Sequence, residues 1–283
     1  MAAALAVLTV IVGVRWAMTR DLPATVPVVV AAASAPPPAG AVGGSNGLGR
    51  SANGAKPSPP ALTPSPSVTP SSSVTPSPSV ARPRATVGPF GSRRMTGGKA
   101  VALTFDDGPH AVWTPQVLDR LRAAGVKATF CVVGAQVRRN PDLVRRIVRE
   151  GHTLCNHSWR HELDLGAQPV AAIKANLLAT NREIRVAVPG AKIPYFRQPG
   201  GKWTAAVVEA ARELGMTSLD WDVDPRDWET MDANQIGTRV IAQARPGSII
   251  LLHDGGGDRH GTLAACPGMI QTLKARYGIA RLR

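Results

Sequence analysis

The sequence predicts an α/β fold in which a parallel sheet is covered by helices and rolled into a barrel rather than left as an open doubly wound sheet. Three observations predict it. From Lys99 onward, short β-branched runs alternate with helical patterns six or seven times, and strands that alternate with helices pair in parallel because each crossover returns the chain to the same end of the sheet. Residues 99–283 carry the mixture of charge and apolar runs that a core needs, with 18 acids and 25 bases, whereas residues 1–98 hold Asp21 as their one acid against eight Lys or Arg. Ionisable residues also cluster where the strands end, which is where barrels carry their chemistry.

The elements follow in order. Ala100–Phe105 reads as a strand and Thr114–Ala124 as a helix stopped by Gly125. Ala128–Val133 is a strand; Pro141–Glu150 is a helix, with Pro at its first turn and Gly151 behind it. His152–Cys155 is a strand, Val170–Val186 a helix, Pro194–Arg197 a short strand and Thr204–Leu214 a helix closed by Gly215. Thr217–Val223 is a strand, Ala233–Ala244 a helix, Ser248–Leu252 a strand and Pro267–Tyr277 a last helix. Only IARLR follows Gly278, which predicts an abbreviated final strand.

Three regions result. Residues 1–35 read as a signal or membrane-anchor region: residues 2–14 are an apolar run of secretory length, short of the roughly 20 residues that span a bilayer. Residues 36–98 read as a disordered Pro/Ser/Thr-rich linker with the repeat TPSPSV, TPSSSV, TPSPSV at 63–80, a composition that stays extended and buries no core. Residues 99–283 are the folded domain, and about 185 residues suffice for one sizeable core. An export segment followed by a spacer predicts a protein that is secreted or anchored at the cell envelope, outside the cytoplasm, with membrane or wall association through its N-terminal region.

The formal net charge is +14, which suits an anionic setting, but no motif supports specific nucleic-acid binding. The clusters Arg138/Arg139 and Arg145/Arg146/Arg149 interleave with apolar residues, as on the solvated face of an amphipathic helix. Cys131, Cys155 and Cys266 make an odd number without a CxxC pair, so a disulfide framework and a zinc ribbon are excluded. Each cysteine reads as a small buried hydrophobe by default, with a Cys131–Cys155 bridge open only if their strands are neighbours.

The strand ends carry the chemistry. They read TFDDGP with Asp106 and Asp107, NHSWRH with His157 and His161, FRQPGG with Arg197, DWDVDPRDW with Asp222, Asp224 and Asp227, and LLHDGG with His253 and Asp254. Two imidazoles four apart could face one way on a helical turn. With one carboxylate they leave open positions on a metal, as hydrolysis requires, and a second adjacent carboxylate stays free to act as a base. Gly200-Gly201-Lys202 is no phosphate loop, because Phe196 stands where the first Gly would be. The sequon Asn156-His157-Ser158 overlaps the histidine motif. His152 falls at the opposite strand end and reads as structural; His110 and His260 read as loop histidines near the mouth.

These five motifs, in this order across about residues 99–275, resemble those of the polysaccharide deacetylase family, the NodB-homology domain of carbohydrate esterase family four. The resemblance implies a distorted (β/α) barrel of about seven strands. It implies Asp107, His157 and His161 as ligands of a divalent metal, zinc first and cobalt as the alternative. It implies Asp106 as general base, His253 as general acid, Asp227 as the partner that orients His253, and Arg197 as the residue that holds Asp106. It further implies an oxyanion donor at Gly200 and acetyl-pocket walls at Trp228 and Leu251. The expected activity is removal of N-acetyl groups from N-acetylglucosamine-containing polysaccharide, peptidoglycan or chitin-like, by a monomer. O-acetyl esterase action on xylan and an inactive wall-binding module are the rivals.

Overall fold

A computed structural model describes residues 85–283. The signal or anchor region 1–35 and residues 36–84 of the expected linker lie outside the described residues. Six strands form one parallel sheet: β1 (Ala102–Asp106), β2 (Thr129–Val132), β3 (Thr153–Asn156), β4 (Tyr195–Phe196), β5 (Thr217–Ser218) and β6 (Ile249–His253), in the order β5-β4-β3-β2-β1-β6. Around it run α1 (Trp113–Ala124), α2 (Gly134–Arg139), α3 (Pro141–Arg149), α4 (Val170–Ala187), α5 (Ala205–Glu213), α6 (Ala233–Gln243) and α7 (His260–Arg276).

Successive strand residues face opposite sides of the sheet, and the sequence uses both sides. Outward go Leu103, Phe105, Phe130, Val132, Leu154, Phe196, Ile250 and Leu252, all buried in one cluster with the helices. Phe105 and Phe130 stack there at 5.4 Å, and each such side chain contributes roughly 1.5–3 kcal/mol when fully buried. Inward go Ala102, Cys131, Cys155, Tyr195, Leu219 and Ile249, a second, smaller cluster closed by Leu282. The same inward rows, continued to the C-terminal strand ends, present Asp106, His157, Arg197 and His253.

The sheet is curled but incomplete as a ring of regular strands. The single bridge of Val223 to Ile250 stands where a seventh strand would, with Leu251 N–H donating to Val223 C=O at 2.9 Å. Below it, residues 93–96 fill the seam. Arg93 pairs with Leu219 and Met95 with Ser248, and Thr96 N–H donates to Gly247 C=O at 2.8 Å. Residues 85–98, assigned to the linker on composition, therefore belong in part to the barrel wall: backbone pairing needs no hydrophobic pattern, and composition does not see it. The strand expected over 217–223 is regular only at Thr217–Ser218; beyond it the chain keeps single bridges, Leu219 to Arg93 and Val223 to Ile250.

The tail after Gly278 is short but used. Val101 pairs with Ile279 in parallel, Ala280 N–H donates to Val101 C=O at 2.9 Å, and Leu282, 3% exposed, plugs the barrel floor. Two further corrections concern helices and cysteines. The last helix starts at His260 and runs through Pro267 rather than beginning there. Cys131 and Cys155 are register partners on adjacent strands, both facing inward, and form a disulfide, so the default reading as separate buried hydrophobes does not hold for them. Cys266 is free and buried. Among the described residues no helix is long and apolar enough to cross a membrane.

Candidate active site

Every ionisable residue singled out at the strand ends that the family resemblance assigned a role sits at one cleft of about 410 Å³, lined by Asp106, Asp107, His157, His161 and His253 among others. Arg197 and Asp227 stand directly behind it. β1 ends in Asp106, after which the chain turns left-handed at Asp107 (φ 73°). β3 ends in Asn156, which is fully buried and spends its side chain on anchoring: Nδ2 donates to Leu177 C=O at 2.9 Å and to Asn181 Oδ1 at 2.8 Å, and Oδ1 accepts from Ser158 N–H. That anchor leaves no room for the sequon to be glycosylated in the folded protein.

His157 and His161 do converge, but not on a helix. The chain between them is a turn with Ser158 (φ 64°) and His161 (φ 63°) in the left-handed region. Such backbone costs of order 1–3 kcal/mol per residue and persists where surrounding bonds over-determine it. Here Glu162 N–H donates to Ser158 Oγ at 3.1 Å and Trp159 N–H to Asn176 Oδ1 at 2.9 Å.

Donor atoms of Asp107, His157 and His161 all lie within 4.8 Å of one another. Asp107 Oδ1 is 3.4 Å from His157 Nε2 and 3.3 Å from His161 Nε2, buried, and without a hydrogen-bond partner. His157 Nδ1 lies 2.8 Å from the Arg197 carbonyl; a proton donated there leaves the Nε2 lone pair aimed at the cluster, as in metal-binding histidines. Burial by itself depresses His157, yet Asp106 and Asp107 outweigh it and raise its pKa. Burial pushes the Asp107 carboxyl up, and His157, His253 and His161 more than reverse that. His161 is lowered instead, by burial and by the charge of His157, and an orphaned carboxylate oxygen facing two imidazoles fits a divalent cation such as zinc.

Asp106 has its two oxygens in different surroundings. Oδ1 accepts from Arg197 Nη1 at 2.8 Å, while Oδ2 faces the cleft, 3.6 Å from His157 Nε2. Arg197 is fully buried and is satisfied from every side. Nε donates to Leu219 C=O at 3.0 Å, Nη1 also to Thr104 Oγ1 at 2.8 Å, and Nη2 to Asp220 C=O at 3.2 Å. Across the cleft, His253 Nδ1 lies 2.7 Å from Asp227 Oδ1, and Asp227 Oδ2 accepts from the His253 backbone N–H at 3.0 Å and from Thr262 Oγ1 at 2.7 Å. Burial lowers His253, but the Asp227 carboxylate, helped by Asp107 and Asp106, brings it up to about 9.

Gly200 (φ 61°), Leu251 and Trp228 line the same cleft. Leu251 is buried and Trp228 is 52% exposed, a wall with one face to solvent. Of the strand-end aspartates that the resemblance gave no role, Asp222 binds Arg245 and Ser248 (2.9 and 2.7 Å) and is structural, whereas Asp224 lines the cleft. Asp254 is buried behind Gly108 with Thr114 Oγ1 at 2.5 Å, and burial pushes it up to about 7. His110 is a loop residue that does not line the cleft, and its Nδ1 accepts from Val112 N–H just before α1. His260 opens α7, its N–H held by Asp258. Sequence reasoning missed Trp221, Gln198, Met231 and Arg259, all of which line the cleft. Trp221 was the findable one, since it sits inside the aspartate-rich stretch and lies 5.7 Å from the Arg197 guanidinium.

The family model described as polysaccharide deacetylase matches residues 93–219. A chitooligosaccharide deacetylase of Sinorhizobium fredii is 45% identical over 163 residues, covering 58% of this chain and 75% of that one. A peptidoglycan-N-acetylglucosamine deacetylase of Bacillus cereus is 40% identical over 179 residues, covering 62% and 82%. Among solved structures, a family 4 carbohydrate esterase pseudoenzyme from Bacillus anthracis superimposes with a TM-score of 0.62 at 28% identity, covering 67% of this chain and 66% of that one. The last similarity makes the fold alone a poor guide to activity and puts the weight on the side chains at the strand ends. Relatives at this level of identity and coverage, on this parallel curled sheet, place the chain in the polysaccharide deacetylase family of hydrolases.

Proposed function

We propose that the chain is a metal-dependent deacetylase that removes N-acetyl groups from N-acetylglucosamine residues of a peptidoglycan or chitin-type polysaccharide, releasing acetate. The observation that carries this reading is the convergence on one cleft of the Asp107–His157–His161 donor set, a carboxylate beside it and a charged His–Asp pair opposite. Zinc is the metal that the two-imidazole, one-carboxylate set suits best, with cobalt as an alternative. A bound divalent metal supplies Lewis acidity toward the acetyl carbonyl and the attacking water.

The chain's own residues do the rest. Asp106 takes the proton from the attacking water through Oδ2, because Arg197 occupies Oδ1. His253 gives a proton from Nε2 to the departing amine, because Asp227 holds Nδ1. The Gly200 N–H serves the developing oxyanion, and Trp228 with Leu251 encloses the acetyl methyl. Water and amide in, acetate and free amine out, the protons balance. The protonated His253 favours the N-acetyl reading over the ester rival, since an amine leaves only with a proton. The intact set of groups argues against an inactive module.

The same reading places the enzyme outside the cytoplasm, secreted or held at the envelope. The apolar run at 2–14 supports this, as does the Cys131–Cys155 disulfide, a bond that persists in oxidising compartments. The deciding experiment is acetate release from acetylated chitooligosaccharides, peptidoglycan and acetylxylan, with and without added zinc. Zinc-dependent release from the first two is expected; release from acetylxylan alone would overturn the substrate assignment, and zinc-independent release the mechanism.

A further inference from the structure

The basic clusters read as a solvated face divide into paired and unpaired arginines. Arg138 bonds Glu183 at 2.8 Å and lies over Trp159 at 4.6 Å. Arg145 bonds Asp142, and Arg146 bonds Asp119 and Glu150 at 2.6 and 2.7 Å. Arg139, at the end of α2, and Arg149, at the end of α3, have no ion pair and no side-chain hydrogen bond among the described residues, and neither has Arg160, which lies outside these clusters between His157 and His161. The nearest acid in sequence, Glu162, accepts from the Arg160 backbone N–H instead.

Arg139 and Arg160 line one groove of about 380 Å³ together with Gln136 and with Asp107, His161 and Gly256, the last three of which also line the catalytic cleft. Local structure fixes the pair relative to the metal-binding residues. Gly134 N–H donates to Ser158 C=O at 3.0 Å and Ala135 N–H to Trp159 C=O at 2.8 Å, so α2 starts on the histidine turn itself. Gly134 permits that approach, because a Cβ there would meet the Trp159 ring.

We propose that this groove is a subsite for a carboxylate carried by the sugar next to the N-acetylglucosamine being deacetylated. The inference rests on the deacetylase reading and sharpens it toward an acidic wall glycan, whose alternate sugars bear a lactyl group and, through it, a stem peptide. A guanidinium fork matches a carboxylate in shape as well as charge. A chitin-type chain presents only hydroxyl and acetamide groups there and leaves both arginines unmatched.

The test uses the full zinc-loaded chain and three tetrasaccharides of alternating N-acetylglucosamine and muramic acid: the free lactyl acid, its methyl ester, and the form with a stem peptide ending in a free carboxylate. Dissociation constants are measured by calorimetry at low and high salt. The acid should bind about three- to tenfold tighter than the ester, the range expected of two exposed ion pairs, and the preference should shrink with salt. Arg139→Gln combined with Arg160→Gln should bring the ratio close to one, Arg139→Glu should lower it further than Arg139→Gln, and Arg138→Gln should leave it in place. A preference confined to the peptide form supports the subsite and assigns the carboxylate to the stem. Equal binding of all three forms, or a preference that survives the double substitution, overturns it. Acetate release in the same samples reports separately on the reaction: a binding preference without acetate would remove the deacetylase reading and keep the subsite.

Discussion

The two ends of the barrel are built from the same strands and the same inward rows, yet they differ in what burial does to a charge. At the floor, the inward rows end in Ala102, Tyr195, Ile249 and the plug Leu282, and the imidazole nearby, His152, is pushed down to about 4 by burial, with Lys127 adding to the effect. At the top, five residues further along β3 and on β6, His157 is raised and His253 is brought up to about 9. All three rings lose water. For these three rings the difference is the carboxylates: Asp106, Asp107 and Asp227 face the upper two, while the cations Lys127, Arg146 and Arg281 outweigh Glu150 around the lower one; His161, at the top as well, is lowered by burial and by the charge of His157 despite Asp107. A buried histidine is thus neutral or charged according to its partner.

The hardest way to break the comparison is to remove the cation that the upper carboxylates invite. Chelation should reduce acetate release to background, and zinc or cobalt should restore it. His157→Ala should lose the metal, read by elemental analysis, with little change in the fold of the floor. Retained activity in a metal-free preparation would show that the upper cluster is an ordinary ion-pair network. Next in size is Asp106→Asn, which removes the base while leaving Asp107, His157 and His161 in place. The rate should fall on the order of 10²–10⁴ with metal content unchanged. A parallel loss of metal would instead make Asp106 a ligand.

His253→Ala sharpens the top end further by separating substrates. N-acetylglucosamine oligomers should slow by a factor comparable to general-acid loss, about 10²–10⁴, while an aryl acetate, whose leaving group departs without a proton, should slow much less. Equal losses would move His253 from leaving-group acid to stabiliser of the tetrahedral intermediate. Asp227→Asn is milder and works through pH. Asp227 raises His253, and the proposed reaction needs that ring protonated, so activity should fail as pH rises through its pKa. Removing the carboxylate lowers that pKa, and the alkaline limb of kcat/KM should move to lower pH. A limb that stays fixed would belong to another group.

The top of the barrel was more legible than the floor for a physical reason. The groups that the proposed reaction needs have to be particular residue types at strand ends, so Asp106, Asp107, His157, His161, Arg197, Asp227 and His253 stand out even where the elements around them are misjudged. The turn between the two histidines illustrates this: a spacing of four suits a helical turn, the chain instead carries left-handed residues at Ser158 and His161, and the rings still converge. Closure, by contrast, relies on backbone pairing of Arg93, Met95 and Ile279, which any side chain can make and no periodicity reports. Helix α2, six residues long, is too short for a 3.6-residue pattern to register. The disulfide depends on β2 lying beside β3 in register, a tertiary fact.

The smallest expected effect lies at the floor and concerns stability alone. His152 is 5% exposed, its Nδ1 accepts from Ala128 N–H at 3.0 Å, and its Nε2 has no partner. An unfolded histidine titrates near 6.5, and the folded ring near 4. Between those values the unfolded chain binds a proton that the folded chain refuses. The stability that goes with the neutral ring is therefore whole above about 6.5 and is lost as pH falls through 4. A displacement of this size is worth roughly 3 kcal/mol at most. Asn at this position keeps an acceptor near the place of Nδ1 and does not titrate. Denaturant unfolding of His152→Asn should therefore lose less stability between neutral pH and pH 4.5 than the parent does, while kcat/KM at neutral pH stays within about twofold, since the substitution lies at the far end of β3 from His157. Equal acid sensitivity in the two proteins would mean that the floor tolerates a charged ring, and the contrast between the two ends would then rest on the carboxylates of the top alone.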